Sequence, residues 1–144
     1  MEKIWKQPFD LDWLNKMTAN NMGEHFDLQF TAIGPDYLEA SIPVDHRTIQ
    51  PYGYLHGGAN VALAETLGSV ASALCLTAES GKGAVGVEVN ANHLRPVTKG
   101  RVTGRVKPVK LGKSIQVWNI EIYDERQRLT CVSRLTTAVI DIPK

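Results

Sequence analysis

The stretch Gln50 to Leu76, QPYGYLHGGANVALAETLGSVASALCL, limits what this chain can fold into more than any other part of it. From Ile49 to Thr77 there is one carboxylate, Glu65, and no Lys or Arg. From Ala59 to about Thr77 the pattern reads as a helix. Its small residues (Ala59, Ala62, Ala64, Gly68, Ser69, Ala71, Ser72, Ala73) permit close packing on most sides. A helix that lies in water normally shows several charges on one face. This helix has no such face, so the rest of the fold is expected to cover it.

Glu65, expected in the second turn, has Val61, Ala62, Gly68 and Ser69 at i±3 and i±4, and none of them can neutralise it. One account is an exposed acid on an amphipathic helix. The other is a partly buried acid without a cation. Such a group is costly unless it is protonated or hydrogen-bonded, and it marks a candidate functional site.

A chain of 144 residues can build one domain with a real core, and a single domain over residues 1–144 is expected. No apolar run approaches the roughly 20 residues that span a bilayer, and MEKIWKQPFD lacks the apolar centre of a signal peptide. Cys75 and Cys131 lie far apart in apolar pattern, which reads as buried free thiols and a cytoplasmic location. No Cys/His cluster has metal-ligand spacing. Charge divides along the chain. Residues 1–92 carry 5 Lys and Arg against 11 Asp and Glu, whereas residues 93–144 carry 11 against 4. The basic part reads as solvated strand faces or as a rim for a small polyanion. It offers only Trp118 and Tyr123 as stacking rings, which disfavours nucleic acid.

In order, Asp10 to Ala19 reads as a short helix capped by Asp10, with Leu11, Leu14 and Met17 on one side; Asn20, Asn21 and Gly23 stop it. His25 to Ile33 and Tyr37 to Val44 alternate as two strands joined by Gly34-Pro35-Asp36, a hairpin. A loop with Pro51 and Gly53 leads to the long helix. Four further strands are expected at Ala84–Leu94, Arg101–Lys110, Ser114–Tyr123 and Arg128–Ile140, the last two interior. One apolar helix among six antiparallel strands is satisfied by a sheet that curls around it.

That element order, with the helix sequence, resembles the hotdog fold, and specifically the acyl-CoA thioesterases of the phenylacetate-thioesterase (PaaI-like) type. The residues that carry the resemblance are Gln50, Leu55-His56-Gly57-Gly58, Ala64-Glu65 and Gly68-Ser69, then Asn90 to Arg95 and Lys107 to Gly112. Within that type the chain is most similar to the branch acting on 1,4-dihydroxy-2-naphthoyl-CoA in bacterial menaquinone biosynthesis. The resemblance implies an α+β domain: a curled antiparallel sheet of about six strands around one long central helix, with a short N-terminal helix. It also implies an acyl-CoA substrate, no cofactor or metal, and a homodimer that forms the site and pairs into a homotetramer.

Thioester hydrolysis needs an activated water or a nucleophile, and a donor for the carbonyl oxygen. Glu65 suits the first role as general base or as nucleophile. The Gly57 N–H, expected just before the helix, suits the second. Eight residues of helix separate the two by roughly 12 Å. One carbonyl therefore meets both only if two helices lie antiparallel across a two-fold axis. Gln50, His56 and Ser69 complete the candidate catalytic set: Gln50 to orient water or the carboxylate, His56 to orient the thioester or water, and Ser69, one turn beyond Glu65, to hydrogen-bond near the acyl group. The resemblance assigns Gly86, the segment His93, Leu94, Arg95 and Pro96, and the segment Lys110, Leu111, Gly112, Lys113 and Ser114 to the CoA and pantetheine channel. Arg95 and Lys113 are the candidate phosphate contacts. A hydratase or dehydratase on acyl thioesters and a non-catalytic acyl-CoA-binding protein are the rival readings. His56-Gly57-Gly58 and the retained Glu65 speak against them.

Overall fold

The computed structural model describes residues 1–143. Its elements run α1 (Leu11–Lys16), α2 (Met22–His25), β1 (Gln29–Ile33), β2 (Leu38–Pro43), α3 (Gly57–Leu74), β3 (Lys82–His93), β4 (Arg101–Leu111), β5 (Ile115–Tyr123) and β6 (Leu129–Asp141). The six strands form one antiparallel sheet in the order β1-β2-β4-β5-β6-β3, wrapped on α3. This is the hotdog arrangement expected above. The β1–β2 hairpin forms as expected, and β5 and β6 are interior.

Two glycines let helix and sheet approach closely. A β-carbon at Gly68 would stand 2.4 Å from Leu135 Cδ2, and one at Gly104 would stand 2.8 Å from Leu67 Cδ1. Leu63, Leu67, Ala71 and Leu74 of α3 meet Val102, Val106, Trp118, Ile120, Ile122 and Leu135 in the core. Trp118 is fully buried, and its Nε1–H donates to Ser72 Oγ at 2.6 Å. Ser72 Oγ in turn shares a hydrogen with Thr137 Oγ1 at 2.8 Å. This buried polar chain fixes the rotation of α3 against β5 and β6. At the far end of α3 the N-terminal segment takes up free carbonyls: Lys6 N–H donates to Leu74 O, and Gln7 Nε2 donates to Ala73 O and Leu76 O.

Several expectations need correction. The strand expected from His25 begins only at Gln29, because Asn21 caps a short helix at Met22–His25 and Asp27 takes a left-handed φ of 50°. Phe26, Leu28 and Phe30 are nonetheless buried. The helix α1 is shorter than expected, ending at Lys16, with Asp10 Oδ1 accepting the Trp13 N–H as its cap. The long helix begins at Gly57 rather than Ala59 and ends at Leu74 rather than Thr77, so Glu65 sits in its third turn. Nor does the sheet cover α3 on every side. Gly58, Val61, Ala62, Glu65, Thr66 and Ser69 remain open along one strip of the helix.

Candidate active site

The entry to α3 is held by backbone pairing. Thr48, 4% exposed, donates from Oγ1 to the Pro43 carbonyl at 2.6 Å. The His56 N–H donates to Thr48 O and the Leu55 N–H to Val97 O, each at 2.8 Å. His56 is the N-cap: its Nδ1 accepts the Gly58 N–H at 2.8 Å, and its carbonyl accepts those of Ala59 and Asn60. Among the described residues this leaves the Gly57 N–H as the one donor of that turn without an acceptor. It lies at the positive end of an eighteen-residue helix.

Two turns further on, the Glu65 side chain stands in the open strip and makes no ion pair among the described residues. It is exposed in the single chain. Its Oε2 lies 2.7 Å from where a β-carbon on Gly86 would be, so the carboxylate rests on bare backbone of β3. Glu65 and Ser69 line one cleft of about 450 Å³ with Met22, Gly58, Val61, Ala62, Thr66 and Val70. A second cleft of about 380 Å³ adjoins it at Met22, Gly58 and Ala62. There Phe26, Ile49 and Ala59 supply apolar wall, and His25, Arg47, Thr48 and His56 supply polar groups. Arg47 is engaged with Asp45 at 2.7 Å, and its hydrogen bonds and charge hold the Asp45 carboxyl down at about 2. The two cysteines are not part of the site. Both are free thiols pushed up to about 11 by burial.

The other candidates distribute unevenly. Gln50 turns back on its own loop, where Oε1 accepts the Tyr52 N–H, and it lines neither cleft. His93, at the end of β3, lies against the helix entry: a β-carbon on Gly57 would stand 2.7 Å from its Nε2. Leu94 and Arg95 follow, both with backbone N–H groups donating to Thr130 O. Pro96 lines a separate hollow with Lys99 and Arg126. Lys110 and Leu111 end β4, and Gly112 to Ser114 turn into β5, closed by the Gly112 N–H on Ile115 O at 3.0 Å. That turn is level with Ala84, since Val139 both pairs with Ala84 and donates its N–H to Ser114 O. His93 is nine residues along β3 from Ala84, roughly 30 Å away. Within one chain, then, the structure does not bring the His93–Pro96 and Lys110–Ser114 segments together. It also keeps Gly57 and Glu65 two helical turns apart.

One participant was missed in the sequence. Asn60 is 5% exposed, and its Nδ2 lies 3.2 Å from His93 Nδ1. An Asn in the first turns of a helix reads as a side chain in water, and only its spacing with Leu63, Ala64 and Leu67 hints at an inward face. Among the described residues no group of three or more His, Cys, Asp or Glu could hold a metal ion, and no helix is long and apolar enough to cross a membrane.

Comparison with known proteins bears on this geometry. Residues 52–131 match the family model described as the thioesterase superfamily. The chain is 54% identical to the 1,4-dihydroxy-2-naphthoyl-CoA hydrolase of Escherichia coli, over 95% of this chain and 99% of that protein. It is 49% identical to the proofreading thioesterase EntH of Cronobacter turicensis, over 95% and 98%. The crystal structure of a thioesterase from Haemophilus influenzae superposes with a TM-score of 0.93 at 52% identity, covering 98% of this chain and 97% of that one. A hotdog sheet around one helix, an acid in the open strip of that helix and these matches lead to one assignment: the chain belongs to the thioesterase superfamily and is an enzyme of thioester hydrolysis.

Proposed function

We propose that the protein hydrolyses an aromatic acyl-CoA, with 1,4-dihydroxy-2-naphthoyl-CoA as the favoured substrate, to the free acid and CoA. The observation that carries this is Glu65: a carboxylate that, among the described residues, pairs with no cation, in an apolar cleft, on a helix whose entry holds one N–H without an acceptor among them. Glu65 acts as general base on water or as the attacking carboxylate, and the Gly57 N–H receives the charge that develops on the carbonyl oxygen. The 54% identity to the Escherichia coli hydrolase supports the naphthoyl substrate. The adjoining clefts have apolar walls suited to a ring.

The site is completed by a second copy of the chain. The open strip of α3 and the free edge of β3, where Val85 and Val87 are 44% and 57% exposed, adjoin each other at Glu65 and Gly86. A two-fold axis through that seam sets two α3 helices antiparallel and brings Gly57 of one protomer to Glu65 of the other. Antiparallel pairing of two β3 edges sets His93 of one protomer level with Lys82 and Gly83 of the other. It is then at the same end as that protomer's Lys110–Ser114 turn. Arg95 and Lys113 there offer charge for the phosphates of CoA. Pairing of dimers into a homotetramer rests on the resemblance alone.

The test is thiol release from a panel of aromatic and aliphatic acyl-CoAs by wild type and Glu65→Gln. Fast release from aroyl-CoAs that collapses in a folded, dimeric variant is the expected result. No release from any thioester, with CoA still bound, would leave the binding-protein reading in its place.

A further inference from the structure

We propose that Asn60 is a positioning residue: it holds His93 so that the imidazole Nε2–H stands beside the Gly57 N–H as a second donor for the thioester carbonyl. This rests on the reading of Gly57 and Glu65 given above.

Three observations carry it. First, Asn60 sits in the first turns of α3 on the inward side, 5% exposed, with Leu63 and Ala64 following at 0%. Its Oδ1 is buried without a partner among the described residues. A buried unpaired acceptor weakens a fold, and an apolar side chain of similar size would avoid the cost. Packing therefore does not explain an asparagine here. Its one side-chain hydrogen bond among the described residues does: Nδ2 at 3.2 Å from His93 Nδ1.

Second, that contact bears on the histidine's hydrogen: with Asn60 Nδ2 as the donor, Nδ1 is the acceptor. An Nδ1 that accepts from the Asn60 amide leaves the neutral ring protonated at Nε2. His93 lies at the end of β3 and is exposed, and among the described residues Asn60 alone hydrogen-bonds its ring.

Third, the Nε2 edge points to the helix entry. It occupies space that any side chain at position 57 would fill, since a β-carbon there would stand 2.7 Å from Nε2. The bare α-carbon of Gly57 thus admits the imidazole next to the free N–H of the same residue. Two donors, one on β3 and one at the start of α3, then lie side by side, an arrangement that suits the carbonyl of an acyl thioester. His93 touches substrate in this arrangement; Asn60 acts through it.

The experiment compares wild type with Asn60→Leu, His93→Ala and the double variant, using the aroyl-CoA hydrolysed fastest by wild type. Asn60→Leu is expected to melt at or above the wild-type temperature. Its kcat should fall about 10- to 100-fold with KM changed little, since the donor acts on the transition state. His93→Ala should lose a similar factor, and the double variant no more than either alone. Independently of activity, ¹⁵N NMR of the His93 ring should show Nε2 protonated and Nδ1 bare in wild type, and a mixture of tautomers in Asn60→Leu. Full activity in Asn60→Leu, losses that multiply in the double variant, or an unchanged tautomer would each overturn the assignment. A Glu65→Gln enzyme with wild-type rates would instead overturn the underlying site, whatever the His93 spectrum showed.

Discussion

The carboxylate of Glu65 lies on the bare backbone of Gly86, with Oε2 2.7 Å from the place a β-carbon would take. At that point strand β3 offers no side chain of its own, and the acid of α3 fills the space. Gly86→Ala should therefore push the carboxylate aside. The displaced atom is the end of a flexible side chain in an open cleft, so the fold should be nearly indifferent, within about 0.5 kcal/mol. Thiol release should fall at least about tenfold, because small displacements of a reacting group are costly. Thermal melting and initial rates on the same preparation test the pair of outcomes.

The proposed sharing of the site between protomers has its own signature. Glu65→Gln and Gly57→Ala should each be nearly inactive, the second because its methyl group crowds His93 Nε2 and the carbonyl position. Mixed and re-annealed, they should regain activity. Half of randomly formed dimers are hybrids with one intact site of two, about a quarter of the wild-type rate. No recovery, with hybrids present by native mass spectrometry, would place both residues in a site within one chain.

The buried chain from Trp118 through Ser72 to Thr137 concerns stability rather than rate. Ser72→Ala strands the Trp118 Nε1–H in the core. A loss of about 1–3 kcal/mol is expected from urea unfolding, with the folded fraction still active.

Acid sensitivity of the loop before α3 should report on Asp45 and Arg47. Arg47 holds the Asp45 carboxyl at about 2, below its ordinary 3.8. A depressed folded-state value means that the pairing stabilises the loop above the unfolded value near 4. The contribution is lost as pH falls through about 2. In Arg47→Ala the Asp45 carboxyl should rise toward its ordinary value but stay below it, because the backbone N–H of residue 47 still donates to Oδ1; ¹³C NMR follows the titration. Titration at about 2 in the variant would show that backbone groups alone set it.

Much of the fold was legible because burial wrote it into alternation. Leu38, Ala40, Ile42 and Val44 are all buried, as their spacing indicated. The helix start was misread because Gly57-Gly58 looks like a break, whereas the His56 side chain caps it and the glycines form its first turn. The early strand was misread because Phe26 and Leu28 keep an alternating pattern through a short helix and a left-handed Asp27. Glu65 was visible as a lone acid. Its contact with Gly86 was not, since that joins two elements through an absent side chain. Asn60 escaped notice for a similar reason: its role depends on a histidine at the end of another element.

Among the described residues strand β3 pairs with one strand, β6. Lys82 pairs with Asp141 and His93 with Cys131, so the strand carrying both Gly86 and His93 waits for a strand made long after it. During synthesis, α3 and the β1–β2 hairpin can form while β3 still has nothing to pair with. The platform beneath the Glu65 carboxylate is thus assembled last. A nascent chain that has not yet released β6 carries its acid and its helix but no working catalyst.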